Sequence, residues 1–162
     1  MKKIKNILII GLLSLLGTGC SDFLDVSSKQ ELTYETFYKT AGDCRSATAA
    51  LYNAVWFDFN SKFLWEIGDS RANNMYVDLA TYASAIFNRF METSNTDDLE
   101  NGWDALYSVV GQSDHILNNL YRALDNGVDP VVVNACKGEA RFMRGLAYWY
   151  LACVWGNVPI VE

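Results

Sequence analysis

The chain has 162 residues, a net charge of −6 and 51% hydrophobic residues. That composition suits one domain with a real core and argues against disorder. With no basic run beyond the extreme N-terminus, it also argues against a nucleic-acid partner, because phosphate attraction needs a basic face. Aromatic residues reach 14%, with five Trp and nine Tyr, so some are expected to face solvent or a ligand.

Lys2, Lys3 and Lys5 precede a run from Ile7 to Leu16 that only Gly11 and Ser14 interrupt. The run is too short for a permanent membrane span and has the charged and apolar regions of a secretory signal. Gly17-Thr18-Gly19 then leads directly into Cys20. Small residues before a cysteine point to a lipoprotein signal, with the Cys20 thiol acylated and the chain cut just before it. Residues 1–19 therefore read as signal peptide and 20–32 as a lipidated, mostly polar tether. Residues 33–162 read as a helical domain.

Thr33 to Thr40 reads as a helical turn or two. A firmer helix starts at Thr40, whose spacing to Asp43 is that of a capping box. Cys44, Ala47, Leu51, Ala54 and Val55 continue it at helical intervals. Phe57 to Val77 loses that period and reads as an ordered loop, with a short helix near Phe63 to Ile67. Leu79, Ala83, Ile86, Phe87 and Phe90 suggest another helix. Ser94-Asn95-Thr96-Asp97 opens a strong one, striped by Leu99, Trp103, Leu106, Val110, Leu117, Leu120, Tyr121 and Leu124 and closed by Gly127. Asp129 and Pro130 start the last helix, and Gly156 and Pro159 stop it. The link between these two helices is so short that they should form an antiparallel hairpin.

Phe142 to Trp155 is apolar on nearly every face, which predicts burial all round. Its exposed Tyr148, Trp149, Leu151 and Trp155 would invite aggregation in a chain stopping at Glu162. The apolar run from Asn157 to Val161 suggests the front portion of a longer protein. No segment alternates as a strand does, so the predicted class is all-α. Trp103 and Leu106, with Ala140, Ala147 and Pro159, partly match a tetratricopeptide repeat.

Catalysis finds little support. His115 is the single histidine, and it lies inside the strong helix with no nucleophile or ligand cluster near it in sequence. Asp97 and Asp98 read as carboxylates at a helix start, where the helix dipole favours them. No phosphate loop or Cys/His metal spacing occurs, so no catalytic residue, metal or cofactor is expected. Cys44, Cys136 and Cys153 read as small buried hydrophobes and not as a disulfide framework. Glu139, Arg141 and Arg144 sit in so apolar a context that neighbouring helices should pair them. The best binding stretch combines the flat faces of Trp65, Tyr76 and Tyr82 with the polar Asp69, Arg71, Asn73 and Asn74. Aromatic platforms beside amides and carboxylates suit sugars, which present C–H faces rimmed by hydroxyls. The bland reading is that these aromatics pin the loop to the helices.

With those residues in view, the chain resembles the N-terminal part of the SusD/RagB family of outer-membrane lipoproteins. The resemblance rests on Cys20-Ser21-Asp22-Phe23-Leu24-Asp25, on Trp103 to Tyr107 with the helix through His115, and on Gly138 to Arg144 running through Tyr148 to Pro159. Asp114-His115 stands where the family usually has Asn. The resemblance implies a fold of tetratricopeptide-like hairpins in which Trp103, Glu139, Arg141, Arg144, Gly156 and Pro159 are structural. It also implies a non-enzymatic role at the outer membrane. Family members bind glycans or other nutrients and work with a SusC-like TonB-dependent transporter. An acidic loop of the family corresponds to Gly68-Asp69, which points to Asn73, Asn74 and Tyr76 as ligand contacts.

Two further readings stand beside a nutrient-binding lipoprotein. One is a structural helical-repeat lipoprotein that makes protein contacts without a ligand of its own. The other is a hydrolase using Asp97 or Asp98. For the anchor, Cys20→Ser should abolish palmitate incorporation and leave the protein soluble or uncleaved. Undiminished labelling of that variant would rule the anchor out.

Overall fold

The computed structural model describes residues 36–53, 56–78 and 84–161. The signal, Cys20, the tether, Ala54, Val55, Leu79, Ala83 and Tyr82 lie outside them. Every regular element among the described residues is helical. In chain order these are α1 (Ala41–Ala50), α2 (Phe59–Phe63), α3 (Glu66–Ser70), α4 (Ala85–Asn88), α5 (Asp97–Asn119), α6 (Tyr121–Asp125) and α7 (Pro130–Trp155). None of them is long and apolar enough to cross a membrane.

The expected start of α1 is present. The Thr40 hydroxyl accepts from the Asp43 N–H at 3.2 Å, and the Asp43 carboxylate accepts from the Thr40 N–H at 2.8 Å. These bonds hold the Asp43 carboxyl below its ordinary range. Residues 36–40 form a turn and bends where helical turns were expected. α1 stops at Ala50 with Leu51 as its cap, and Cys44 and Leu51 are fully buried.

The hairpin of α5 and α7 is the body of the fold. Asp129 caps α7 by accepting from the Val131 N–H at 2.8 Å, and Pro130 takes the first helical position. α5 ends at Asn119 with Leu120 as its cap, and α6 carries the chain one further turn. There the Val128 N–H donates to the Ala123 carbonyl and the Gly127 N–H to the Leu124 carbonyl, both at 2.9 Å. That pair of bonds is a Schellman stop, and it needs the φ of 81° that Gly127 supplies without strain. The early end of α5 turns Tyr121 and Leu124 outward, so the expected stripe holds only as far as Leu120.

Ring and ion contacts establish the antiparallel register. Trp103 meets Trp155 edge-on at 5.2 Å, Tyr107 meets Tyr148 at 6.3 Å, and Arg144 pairs with Asp114. The buried stripes of the two helices include small or slender residues: Ala105, Val109 and Ser113 on α5, with Ala140, Met143 and Ala147 on α7. Such residues let two helix backbones approach closely and pack ridge into groove. Beyond Gly156, the Tyr107 hydroxyl donates to the Pro159 carbonyl at 2.7 Å, and the Tyr148 hydroxyl accepts from the Val161 N–H at 2.8 Å.

Three expectations need correction here. α7 is buried along one stripe only: Val133, Cys136, Ala140, Met143, Ala147 and Leu151. Its outer face leaves Phe142 at 64% and Trp149 at 58% exposure, while Leu151 is fully buried. Cys153 shares that outer face and is exposed, whereas Cys44 and Cys136 are buried thiols. Of the three charges in the motif, only Arg144 points across the seam to a carboxylate. Glu139 and Arg141 stay exposed, because neither falls on the buried stripe of α7.

α2 packs on both arms of the hairpin, with Phe63 against Gly102 of α5 and Trp155 of α7. A Cβ on Gly102 of α5 would lie 2.5 Å from the Phe63 ring, so Phe63 rests directly on the α5 backbone. Gly111, in the same helix, has open space where its Cβ would be. Gly102→Ala should therefore destabilise the fold by about 1–3 kcal/mol through overpacking. Gly111→Ala should stabilise it by roughly 0.5–1 kcal/mol through helix propensity. Urea unfolding of the two variants measures both signs.

Candidate ligand-binding groove

The segment expected to be a loop is helical from Phe57 to Ser70, with wide π turns at α2 and α3. Its buried residues Phe59, Phe63, Glu66 and Ser70 are spaced as one helix face. Two of these four are polar, so a reading based on hydrophobicity does not find the stripe. π turns are rare and recur at functional sites. The apolar half anchors the segment: Phe59 packs on Tyr150 at 4.6 Å, and Phe63 stacks on Trp155 at 5.5 Å with the rings 12° from parallel.

The polar half forms a charged knot beside the start of α5. The Lys62 ammonium donates to the Asp98 carboxylate at 2.6 Å and lies 3.4 Å from the Glu66 carboxylate, which is fully buried. Burial pushes the Glu66 carboxyl above its ordinary range and Asp98 pushes the same way, while the Ser84 hydroxyl and Lys62 pull it down. Burial works against the charge on Lys62, but bonds to Asp98 and Glu66 more than offset this and raise its pKa. Asp98 thus sits at the dipole-favoured helix start, as expected, and also anchors the lysine.

Above this knot lies a groove of about 500 Å³, with Trp65, Met75, Tyr76 and Val77 as its apolar walls and Ser61, Lys62, Asp78 and Ser84 as its polar lining. Trp65 is held in place by its indole N–H, which donates to the Ser61 carbonyl at 3.2 Å. Tyr76 is 74% exposed. The fold thus brings together two of the six residues singled out in sequence as ligand contacts.

The other four do not line that groove. Asp69, Asn73 and Asn74 build the turn that leads from α3 to Tyr76: the Asn74 N–H donates to the Asp69 carbonyl at 3.0 Å, and Asn73 adopts a φ of 60°, which asparagine tolerates. Asn88 of α4 clamps this turn by donating to the Ser70 carbonyl at 3.0 Å and the Met75 carbonyl at 3.1 Å. Arg71 faces a different cleft, of about 450 Å³, against Trp149 and Cys153 of α7. Its guanidinium pairs with Glu92 at 2.7 Å and lies 5.0 Å from the Phe90 ring. Lys62, Glu66, Ser84 and Asn88 were not visible as site residues in sequence. The i, i+4 spacing of Lys62 and Glu66 is the one signal in the sequence that could have found any of them.

Elsewhere, His115 is half-buried on α5 with interactions of its own. Among the described residues, no group of His, Cys, Asp and Glu could hold a metal ion.

The described residues form an all-helical hairpin fold carrying an aromatic groove, and comparison with known proteins gives its family. A SusD-like family model, described as starch-binding and associating with the outer membrane, matches residues 22–162. The chain belongs to the SusD-like family. A SusD-like protein of Bacteroides ovatus is 34% identical over 97% of this chain and 28% of its own length. Two SusD-like proteins of Formosa agariphila, P38 and P25, are 31% and 26% identical and are each covered over 31% of their length. The chain therefore spans about a third of the curated relatives it matches. No solved structure matches it.

The raised pKa of Glu66 makes stability depend on pH. A carboxyl whose folded pKa lies above its unfolded value favours folding below the unfolded value, near 4.5, and loses that contribution as pH rises through the folded pKa. Glu66→Gln should therefore raise the melting temperature at pH 7, and its advantage over the wild type should shrink toward pH 4. Thermal melts across that range measure it.

Proposed function

We propose that this protein is a cell-surface subunit that binds glycans or related nutrients without turning them over and passes them to a SusC-like TonB-dependent outer-membrane transporter. The carrying observation is the groove in which Trp65 and Tyr76 present flat apolar faces beside Ser61, Lys62 and Ser84. A pyranose buries its C–H face on such rings and directs its hydroxyls to the polar lining. Membership of a family described as starch-binding and associating with the outer membrane supports the same reading. In this reading Cys20 is the lipid anchor, residues 1–19 are removed, residues 20–32 form the tether and residues 33–162 belong to the binding domain. Asp69, Asn73 and Asn74 act by holding the turn that presents Tyr76.

One observation favours a second reading, a structural helical-repeat lipoprotein with no ligand of its own. Much of the aromatic content is used inside the fold, where Trp103, Tyr107, Tyr148, Tyr150 and Trp155 pack against one another or against α2. Affinity electrophoresis of the full-length gene product through gels containing starch, other glucans or host glycans separates the two. Binding predicts retardation in at least one gel. Trp65→Ala and Tyr76→Ala should each weaken it by about three- to tenfold, the scale of one aromatic contact. No retardation in any gel, or wild-type migration of both variants, would leave the structural reading standing.

A further inference from the structure

A second concave surface lies between α5 and α7, away from the aromatic groove. It has a volume of about 370 Å³ and is lined by Leu117, Asn118 and Asp114 of α5 and by Lys137, Arg141 and Arg144 of α7. The three cations are spaced i, i+4 and i+7, so they form one stripe along α7. A single carboxylate answers them, and Asp114 is already taken up by Arg144. Three positive charges against one negative charge leave two in excess, on a chain whose net charge is −6. Lys137 and Arg141 make no ion pair among the described residues, and like charges at i, i+4 repel each other. The Asp114–Arg144 pair fixes one wall, and Lys137, Arg141 and the Asn118 amide nitrogen set donors beside it. The acceptors in the groove are the Asn118 amide oxygen and the buried Asp114 Oδ2, so the cations stay in excess.

We propose that this groove is a second ligand site, which takes an oxyanion carried on a glycan: the carboxylate of a uronic acid or a sulfate ester. Arg141 supplies a fork of N–H donors, Lys137 a point charge, and Asn118 a neutral donor for a neighbouring hydroxyl. The small volume and polar lining fit one charged sugar unit better than the flat, wide contact that a protein partner requires. Asp98 beside the aromatic groove and Asp114 here are 16 residues apart on one helix, or about 24 Å at 1.5 Å per residue. The two sites would therefore contact separate parts of one chain. The proposal rests on the glycan-binding reading above, to which it adds a charge preference.

The test is affinity electrophoresis of the full-length gene product in polygalacturonate, dextran sulfate and uncharged dextran, at low and at high salt. Both acidic polymers should bind more tightly than dextran, and salt should weaken that preference. Lys137→Gln with Arg141→Gln should cost roughly tenfold in affinity for the acidic polymers and remove the salt dependence. The same variant should bind neutral glucans as the wild type does, and Trp65→Ala should show the opposite pattern, so failure of either site is read separately. Inorganic sulfate should compete only at concentrations far above those of polymer-borne sulfate. The inference is overturned if the acidic polymers bind no better than dextran. It is also overturned if the double variant behaves as wild type toward them, or if free sulfate competes as well as the polymer. An unchanged circular-dichroism spectrum confirms that the double variant is folded.

Discussion

The contact between Phe63 and Gly102 is the constraint on which the rest of this structure depends. A side chain at position 102 would collide with the ring, so glycine there lets α2 lie directly on the α5 backbone. Phe63 then stacks on Trp155, which meets Trp103 edge-on, and three helices share one aromatic junction. Because α2 is seated there, Lys62 is brought to Asp98 and Trp65 to the edge of the groove. The packing junction and the candidate binding surface are consecutive turns of one helical segment.

Charge is placed economically around this body. The fully buried Glu66 is compensated by Lys62, which in turn is held by Asp98 at the start of α5. Arg144 is compensated by Asp114 across the main seam. Removing Lys62 or Asp114 would leave the buried Glu66 or the half-buried Arg144 without its partner, which costs more than the pair itself contributes. Lys137 and Arg141 escape this pattern, since no ion pair among the described residues holds them.

The relation between fold and function follows from the same division. The seam aromatics are satisfied by each other and by the tyrosine bonds to Pro159 and Val161. Trp65 and Tyr76 are left at the rim, one fixed by an indole bond within its helix and the other carried by a turn that Asn88 clamps. If the groove takes the proposed ligand, its clamped backbone loses little freedom on binding, which lowers the entropic cost of recognition.

Sequence alone determined the hairpin: the Asp129–Pro130 start, the Gly127 and Gly156 stops and the helical stripe of α5 as far as Leu120 depend on local backbone chemistry that spacing reveals. It also determined the family, because the Gly138–Arg144 and Trp155–Pro159 motifs are contiguous. Only the tertiary structure decided which faces of α7 are covered, since an apolar helix carries no record of how many neighbours it has. Tertiary packing likewise turned residues 57–70 into helix, where the buried polar Glu66 and Ser70 interrupt the apolar pattern and Lys62, one turn away, pairs with Glu66. The six candidate ligand residues were one stretch in sequence and became three groups in space. Trp65 and Tyr76 meet across a groove, Asp69, Asn73 and Asn74 shape a turn, and Arg71 faces α7. Adjacency along the chain says nothing about the side of a helix or turn on which a residue emerges, and in this protein that decides which of them can touch a ligand.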